Sequence, residues 1–141
     1  LRALHAGRRV LIAEDNPVNR EVAVELLGAA GLVVETAQDG REAVDKALAE
    51  PFDLVLMDMQ MPVLDGLAAT AEIRRLETGL GRPPIPIIAL TAHAVHGDRE
   101  RYLGMGMSDY ISKPIDAREL ATKYVGLLQG RRLVLADDKA A

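Results

Sequence analysis

Short segments typical of β-strands alternate along this chain with longer segments of helical character. The predicted strands cover residues 10–13, 32–36, 54–57, 85–90 and 109–112. Three of them are continuously apolar, which indicates strands covered on both faces, as in a parallel sheet. Strands that alternate with helices in this way form right-handed crossovers. The pattern therefore predicts a doubly wound α/β fold, with a five-stranded parallel sheet flanked by five helices.

The predicted helices have recognisable ends. They cover about residues 17–30, 39–50, 67–77, 95–107 and 117–128. Asn16 is a suitable N-cap for the first helix, and Pro17 suits its first turn, where a missing N–H has no consequence. Val18, Val22 and Leu26 recur every four residues. This spacing predicts that they form the buried face of the first helix.

Composition excludes several classes of protein. The chain of 141 residues contains no cysteine, so disulfides and thiolate metal sites are ruled out. Its 21 acidic and 17 basic residues are interspersed and give a net charge of −4, without the basic block typical of nucleic-acid binding. No apolar run approaches the length of a membrane span. We therefore expect a cytoplasmic fragment without direct contact to nucleic acid or membrane.

Polar side chains follow the predicted strands at the points where they end. Carboxyl ends of parallel strands share one edge of the sheet, and ligands bind at that edge. The strand-end residues are Glu14, Asp15, Asp58, Thr91 and Lys113. Clustered carboxylates repel one another, and Mg²⁺ prefers oxygen ligands that it shares with phosphate oxygens. The sequence therefore predicts a magnesium site at this edge.

These residue types also suit phosphoryl transfer. Asp58, nearest the centre of the sheet, is the candidate nucleophile that would form an acyl phosphate. Such a transfer needs mainly alignment and neutralisation of charge, to which Mg²⁺, Lys113 and the Thr91 hydroxyl would contribute. Each residue alone also has an ordinary explanation: a solvated turn, a helix cap, or a surface charge. Their joint placement favours a functional site.

At this point the sequence resembles a known family, the receiver domains of two-component response regulators. The matching segments are IAEDN (12–16), MDMQMP (57–62), DG (65–66), ALTA (89–92) and SKP (112–114). The resemblance covers about residues 8–128 and implies a flavodoxin-like sheet of strand order 2-1-3-4-5. Residues 14–19 look most like the receivers of hybrid histidine kinases.

The resemblance implies a donor and a set of metal ligands. Asp58 would take its phosphoryl group from a phosphohistidine on a histidine kinase or a histidine phosphotransfer protein. Mg²⁺ would be bound by Asp15, Asp58 and the backbone carbonyl of Gln60, with Glu14 acting largely through water. The domain would be a phosphoacceptor with self-phosphorylation and autodephosphorylation chemistry rather than an enzyme. A hybrid parent chain would be a histidine kinase, and it would be membrane-anchored in some arrangements.

The resemblance also implies a conformational switch. Thr91 would move toward the phosphate while Tyr110 turns inward behind it, which would alter the face formed by the fourth helix, the fifth strand and the last helix. Output or kinase domains of the parent chain are candidate receivers of that change. The peptide bond before Pro114 is expected to be cis. By default His93 is interpreted as a surface histidine, and the resemblance offers the alternative that it lies by the phosphate and tunes its lifetime.

Three other functions are compatible with parts of the pattern. A phosphatase with an aspartate nucleophile commonly has a second acid two positions later, where this chain has Gln60, which cannot transfer a proton. A pseudo-receiver would bind partners without taking phosphate, although Asp58 and Lys113 are intact. A flavin-binding protein would share the fold, yet its cofactor phosphate would favour amides and hydroxyls over the Asp58 carboxylate.

The ends of the chain fall outside the predicted domain. Residues 1–7 are predicted to be an N-terminal extension, residues 8–128 the receiver domain, and residues 129–141 a C-terminal tail. Residues 130–138 echo residues 7–15, so the tail is either a chance apolar segment or the opening strand of a second receiver.

Overall fold

The structure, a computed structural model, describes residues 7–92, 98–113, 115, 118–120 and 122–123. Its strands are β1 (Arg9–Ala13), β2 (Val33–Ala37), β3 (Leu54–Asp58), β4 (Ile87–Thr91) and β5 (Asp109–Ser112). They form a single five-stranded sheet of order β2-β1-β3-β4-β5, with every neighbouring pair parallel. The predicted parallel α/β fold and the strand order are therefore confirmed.

Helices connect successive strands. They are α1 (Pro17–Ala29), α2 (Gly40–Ala49), α3 (Gly66–Leu80) and α4 (Asp98–Gly104), and residues 118–120 and 122–123 belong to a last helix, α5. Asn16, Asp39 and Asp65 cap the first three helices with side-chain oxygens that accept backbone N–H groups at 2.8–3.0 Å. Among these described residues, no helix is both long enough and apolar enough to cross a membrane.

The core lies in two layers, one on each face of the sheet. Alternate strand residues point to opposite faces, so Leu11 and Val55 pack on the side of α2 and α3 whereas Ile12 and Leu56 pack on the side of α1. Strands β3 and β4 are buried along their whole length. This double coverage explains why their sequences are continuously apolar.

The prediction for the buried face of α1 was wrong. Val18 and Val22 are 67% and 57% exposed, and Ala23 and Leu27 are the residues of this helix that lie buried against the sheet. Residues 18, 22 and 26 and residues 19, 23 and 27 have the same four-residue spacing and differ by a rotation of about 100°. Because α1 has apolar residues on both rows, periodicity alone did not identify the row that faces the core.

Several predicted boundaries also moved, among them the end of α4, which lies at Gly104 rather than at residue 107. Strand β4 begins at Ile87 rather than Ile85, since Pro86 has no N–H for the sheet, although its carbonyl accepts the Val55 N–H at 2.9 Å. Helix α3 continues three residues past Glu77, to Leu80. The cis bond expected before Pro114, the role expected for His93 and the tail at 129–141 lie outside the described residues.

Candidate functional site

Acidic side chains from two strand ends meet at the carboxyl edge of the sheet. Glu14 and Asp15 follow β1, and Asp58 is the last residue of β3. One oxygen from each of the three carboxylates lies within 4.8 Å of the others. Glu14 and Asp58 are each only 3% exposed, whereas Asp15 faces solvent. Hard oxygen donors at this spacing are the kind of ligand set that a divalent cation such as Mg²⁺ prefers.

Lys113 brings an ammonium group into this cluster from the end of β5. Its Nζ donates to Asp58 Oδ2 at 2.8 Å and to both oxygens of Glu14 at 3.3 Å. Burial by itself lowers the pKa of Lys113, but the hydrogen bond and charge of Asp58, followed by those of Glu14, outweigh it and raise the pKa above its ordinary value. The ammonium therefore stays charged and compensates part of the acidic cluster.

Glu14 is the carboxyl group of the cluster whose pKa is raised. Burial, followed by the hydrogen bond and charge of Asp58, raises the pKa of Glu14 from 4.5 to about 7, although Asn19 and Lys113 oppose the change. Lys113 alone therefore does not offset the burial of Glu14 and the nearby charge of Asp58. The shortage of positive charge fits a site whose residues accommodate a bound cation.

Replacing Glu14 by Gln is expected to stabilise the metal-free protein at about pH 8 and to change little at about pH 5. Because the pKa of Glu14 is raised on folding, wild-type stability should fall as pH rises from 4.5 toward 7. The full effect above that range is about 3 kcal/mol, which Gln avoids. Urea unfolding with EDTA, followed by circular dichroism at both pH values, measures the difference. Glu21→Gln on the exposed face of α1 is the control, and an equal gain at both pH values would contradict the raised pKa.

The segment after Asp58 orients its carboxylate. The Gln60 N–H donates to Asp58 Oδ1 at 3.1 Å, so both oxygens of this carboxylate accept hydrogen bonds. The Met59 N–H donates to the Leu90 carbonyl at 3.1 Å and ties the same segment to β4. Asp58 is therefore held in one orientation at the centre of the sheet edge.

Gly66 is a site residue whose role the sequence did not reveal. A Cβ at this position would lie 2.9 Å from the backbone carbonyl carbon of Asp58 and still closer to the oxygen. Non-bonded carbon atoms pack at about 3.5–4.0 Å, so only glycine fits here without moving the backbone of Asp58. From the sequence, Asp65 and Gly66 were interpreted only as a turn, because the close approach exists only after folding.

Thr91 and Tyr110, the two predicted switch residues, lie on neighbouring strands, β4 and β5. Thr91 is the last residue of β4, is buried, and accepts the Lys113 N–H at 2.8 Å through its backbone carbonyl. Tyr110 is half-buried on β5, with its ring centroid 5.3 Å from that of Tyr102 and the Lys123 Nζ 4.4 Å above the ring. Thr91 thus shares the edge with Asp58, whereas Tyr110 lies within the α4 and β5 region.

Comparison with known proteins identifies one family and its relatives. The family model for the response regulator receiver domain matches residues 10–125. The chain is 44% identical over 118 residues to hybrid signal transduction histidine kinase I of Dictyostelium discoideum, covering 80% of this chain and 7% of that protein. The chain therefore spans only a small part of the length of this relative.

Solved structures show the same fold. The receiver domain of the sensor histidine kinase PA1611 from Pseudomonas aeruginosa, with a magnesium ion coordinated in its active site cleft, is 46% identical. It superposes with a TM-score of 0.73 over 84% of this chain and 95% of that one. A complex of the Saccharomyces cerevisiae phosphotransfer protein Ypd1 with the receiver domain of Ssk1 gives a TM-score of 0.77 at 32% identity, covering 84% and 87% of the two chains.

Proposed function

The chain belongs to the response regulator receiver domain family, and from this premise we propose that Asp58 is the residue that accepts a phosphoryl group in a phosphorelay. The observation that carries the proposal is the 2.8 Å contact between Lys113 Nζ and Asp58 Oδ2 inside a cluster of three carboxylates. A buried aspartate beside a charged lysine and a candidate cation site has the parts that phosphoryl transfer requires.

The transfer makes one bond and breaks one bond. An Asp58 carboxylate oxygen attacks phosphorus, the P–N bond to the donor imidazole breaks, and an acyl phosphate forms while the imidazole takes up a proton. The Lys113 ammonium, already beside Asp58, is placed to neutralise phosphoryl oxygens. The hydroxyl of Thr91, from the adjacent strand end, supplies a hydrogen bond to the same group.

Mg²⁺ is the proposed cofactor. Asp15, Asp58 and the backbone carbonyl of Gln60 would hold it, with Glu14 contributing largely through water. When bound, the ion supplies further positive charge against the phosphoryl oxygens. Two observations support this choice: the all-oxygen donor set of the cluster and the magnesium ion in the active site of the PA1611 receiver.

The proposed partners follow from the same relatives. The Ypd1–Ssk1 complex supports a histidine phosphotransfer protein as donor, and the similarity to hybrid kinases supports a histidine kinase as donor or parent chain. Within this role residues 8–128 act as a phosphoacceptor, and catalysis of the first phosphorylation of histidine belongs to another domain. We place the fragment in the cytoplasm, where its donor would lie.

Thr91 and Tyr110 are the proposed switch. Phosphorylation adds about −1.5 to −2 charges at Asp58, and Thr91 at the neighbouring strand end would move toward them. Tyr110, held between Tyr102 and Lys123, would turn inward into the space that Thr91 leaves. A Tyr110→Ala variant should lose phosphorylation-dependent coupling to its partner in a pull-down. Coupling that persisted unchanged would contradict this role.

Removal of magnesium tests the proposed function directly. Wild-type protein incubated with acetyl phosphate and Mg²⁺ should gain the mass of one phosphoryl group, and the gain should disappear when EDTA is added. The same dependence is expected when a phosphorylated histidine phosphotransfer protein is the donor. Absence of the gain with both donors, while Mg²⁺ demonstrably binds, would contradict phosphoacceptance and indicate a receiver that works by protein contacts alone.

A further inference from the structure

The loop between β3 and α3, residues 59–65, is held near its C-terminal end by two backbone contacts that only glycine permits. We call it the acceptor loop, because it follows Asp58. At its C-terminal end, Gly66 packs against the Asp58 carbonyl, and the Gly66 N–H donates to the Met59 carbonyl at 3.3 Å. Near the same end, a Cβ on Gly40 would lie 2.6 Å from the Leu64 carbonyl carbon and closer still to its oxygen. Gly40 is the first residue of α2.

Between these contacts the loop adopts an unfavourable turn. The Leu64 N–H donates to the Pro62 carbonyl at 2.7 Å, which closes a three-residue turn around Val63. Val63 has a φ of 68°, a conformation that is strained for a β-branched residue and typical of a rare form of γ-turn. Its side chain is 78% exposed, so packing of Val63 itself does not hold the turn. Strained turns of this kind persist only where the surrounding structure determines them.

The surrounding structure is the start of α2. Leu64 packs its side chain into the core layer formed with Ala43, Val44 and Ala47 of α2, while its carbonyl rests against the bare Cα of Gly40. Asp39 fixes this end of the helix by accepting the Glu42 N–H at 2.8 Å. The acceptor loop is therefore docked on α2 through both the side chain and the backbone of Leu64.

From these contacts we infer that Gly40 is a positioning residue for the metal site. The inference rests on the proposed function, in which the Gln60 carbonyl binds Mg²⁺. Gln60 lies four residues before Leu64. The backbone of the same loop is also fixed by the close contact of Gly66 with Asp58. A side chain at position 40 would push the Leu64 carbonyl away from α2, and the displacement would reach Gln60. Gly40 acts through Leu64 and touches neither the metal nor the phosphoryl group.

Magnesium affinity is the readout that separates positioning from general stability. Gly40→Ala, checked by circular dichroism to be folded, should bind Mg²⁺ about tenfold more weakly than wild type in isothermal titration calorimetry. Gly28→Ala in α1 is the matched control, because a Cβ there meets no atom within 4 Å. Val10→Ala, a core truncation in β1 at the edge away from the site, controls for lost stability. Both controls should bind Mg²⁺ as wild type does.

The outcomes are distinguishable. Folded Gly40→Ala protein that binds Mg²⁺ with wild-type affinity would overturn the role of Gly40 and leave the proposed function intact. Wild-type protein that binds no Mg²⁺ would overturn the metal site itself, and this inference with it. If Gly40→Ala does not fold, Leu64→Ala decides, since it removes the side-chain anchor but keeps the carbonyl. A loss of affinity in Leu64→Ala that Val10→Ala does not share would support the inference, and an affinity equal to wild type would overturn it.

Discussion

Replacing Asp58 by Asn is expected to abolish the magnesium-dependent gain of a phosphoryl group. The amide oxygen of Asn is a far weaker nucleophile than a carboxylate, so no acyl phosphate forms. Asn has nearly the same shape and keeps an oxygen that accepts the Gln60 N–H, so the fold should persist. Intact-mass spectrometry after incubation with acetyl phosphate and Mg²⁺ measures the result, and the expected signal from the variant is zero.

The residue just before the same strand provides a matched control for Asp58. Asp53 precedes β3 at the opposite edge of the sheet, where its carboxylate accepts the Arg9 N–H at 2.8 Å. Asp53→Asn removes an equal charge and should leave phosphorylation unchanged. Phosphorylation of Asp58→Asn at the wild-type level would show that another residue is the acceptor and would refute the central proposal.

The second large effect is expected from Gly66→Ala. The added methyl group would collide with the backbone of Asp58, which its pairing with Leu90 of β4 holds in place. We expect a loss of about 3 kcal/mol in the free energy of unfolding, at the upper end of the range for overpacking. Phosphorylation should also be slower, since the proposed nucleophile, Asp58, shares the displaced backbone. Urea unfolding and the mass assay together measure both effects.

Gly79→Ala is the control for this substitution. Gly79 lies near the other end of α3, where a Cβ meets no atom within 4 Å. In a helix, alanine is more favourable than glycine by up to about 1 kcal/mol, so this variant should be slightly more stable than wild type. Equal effects of the two substitutions would show that helix propensity, and not contact with Asp58, governs position 66.

The strand ends were the part of the site that sequence could predict. Parallel strands bring their carboxyl ends to one edge, so placing Asp58 and Lys113 at strand ends was enough to predict that they meet. The structure brings Glu14, Asp15, Asp58 and Lys113 together there. It also shows what position alone does not convey, namely that Glu14 is buried and shares the lysine with Asp58.

Close backbone contacts at particular glycines were beyond prediction. Gly40 and Gly66 are ordinary glycines at helix starts until the fold brings the backbones of Leu64 and Asp58 against them. The buried face of α1 was missed for a related reason, since the row of Val22 is the more apolar one in sequence, yet the packing on the sheet buries the row of Ala23 and Leu27. Local pattern specifies elements well, but it does not specify which atoms they bring into contact.

The ion pairs of Lys113 have a consequence for the order in which the molecule folds. They join segments that are 55 residues apart at Asp58 and 99 residues apart at Glu14. Contacts between such distant segments bear a larger loop-closure entropy and tend to form later, whereas β1 and β2 are neighbours in both sequence and space. A chain that has folded only its first three strands would present Asp58 without its lysine. The proposed acceptor would therefore gain the Lys113 ammonium only once β5 is in place.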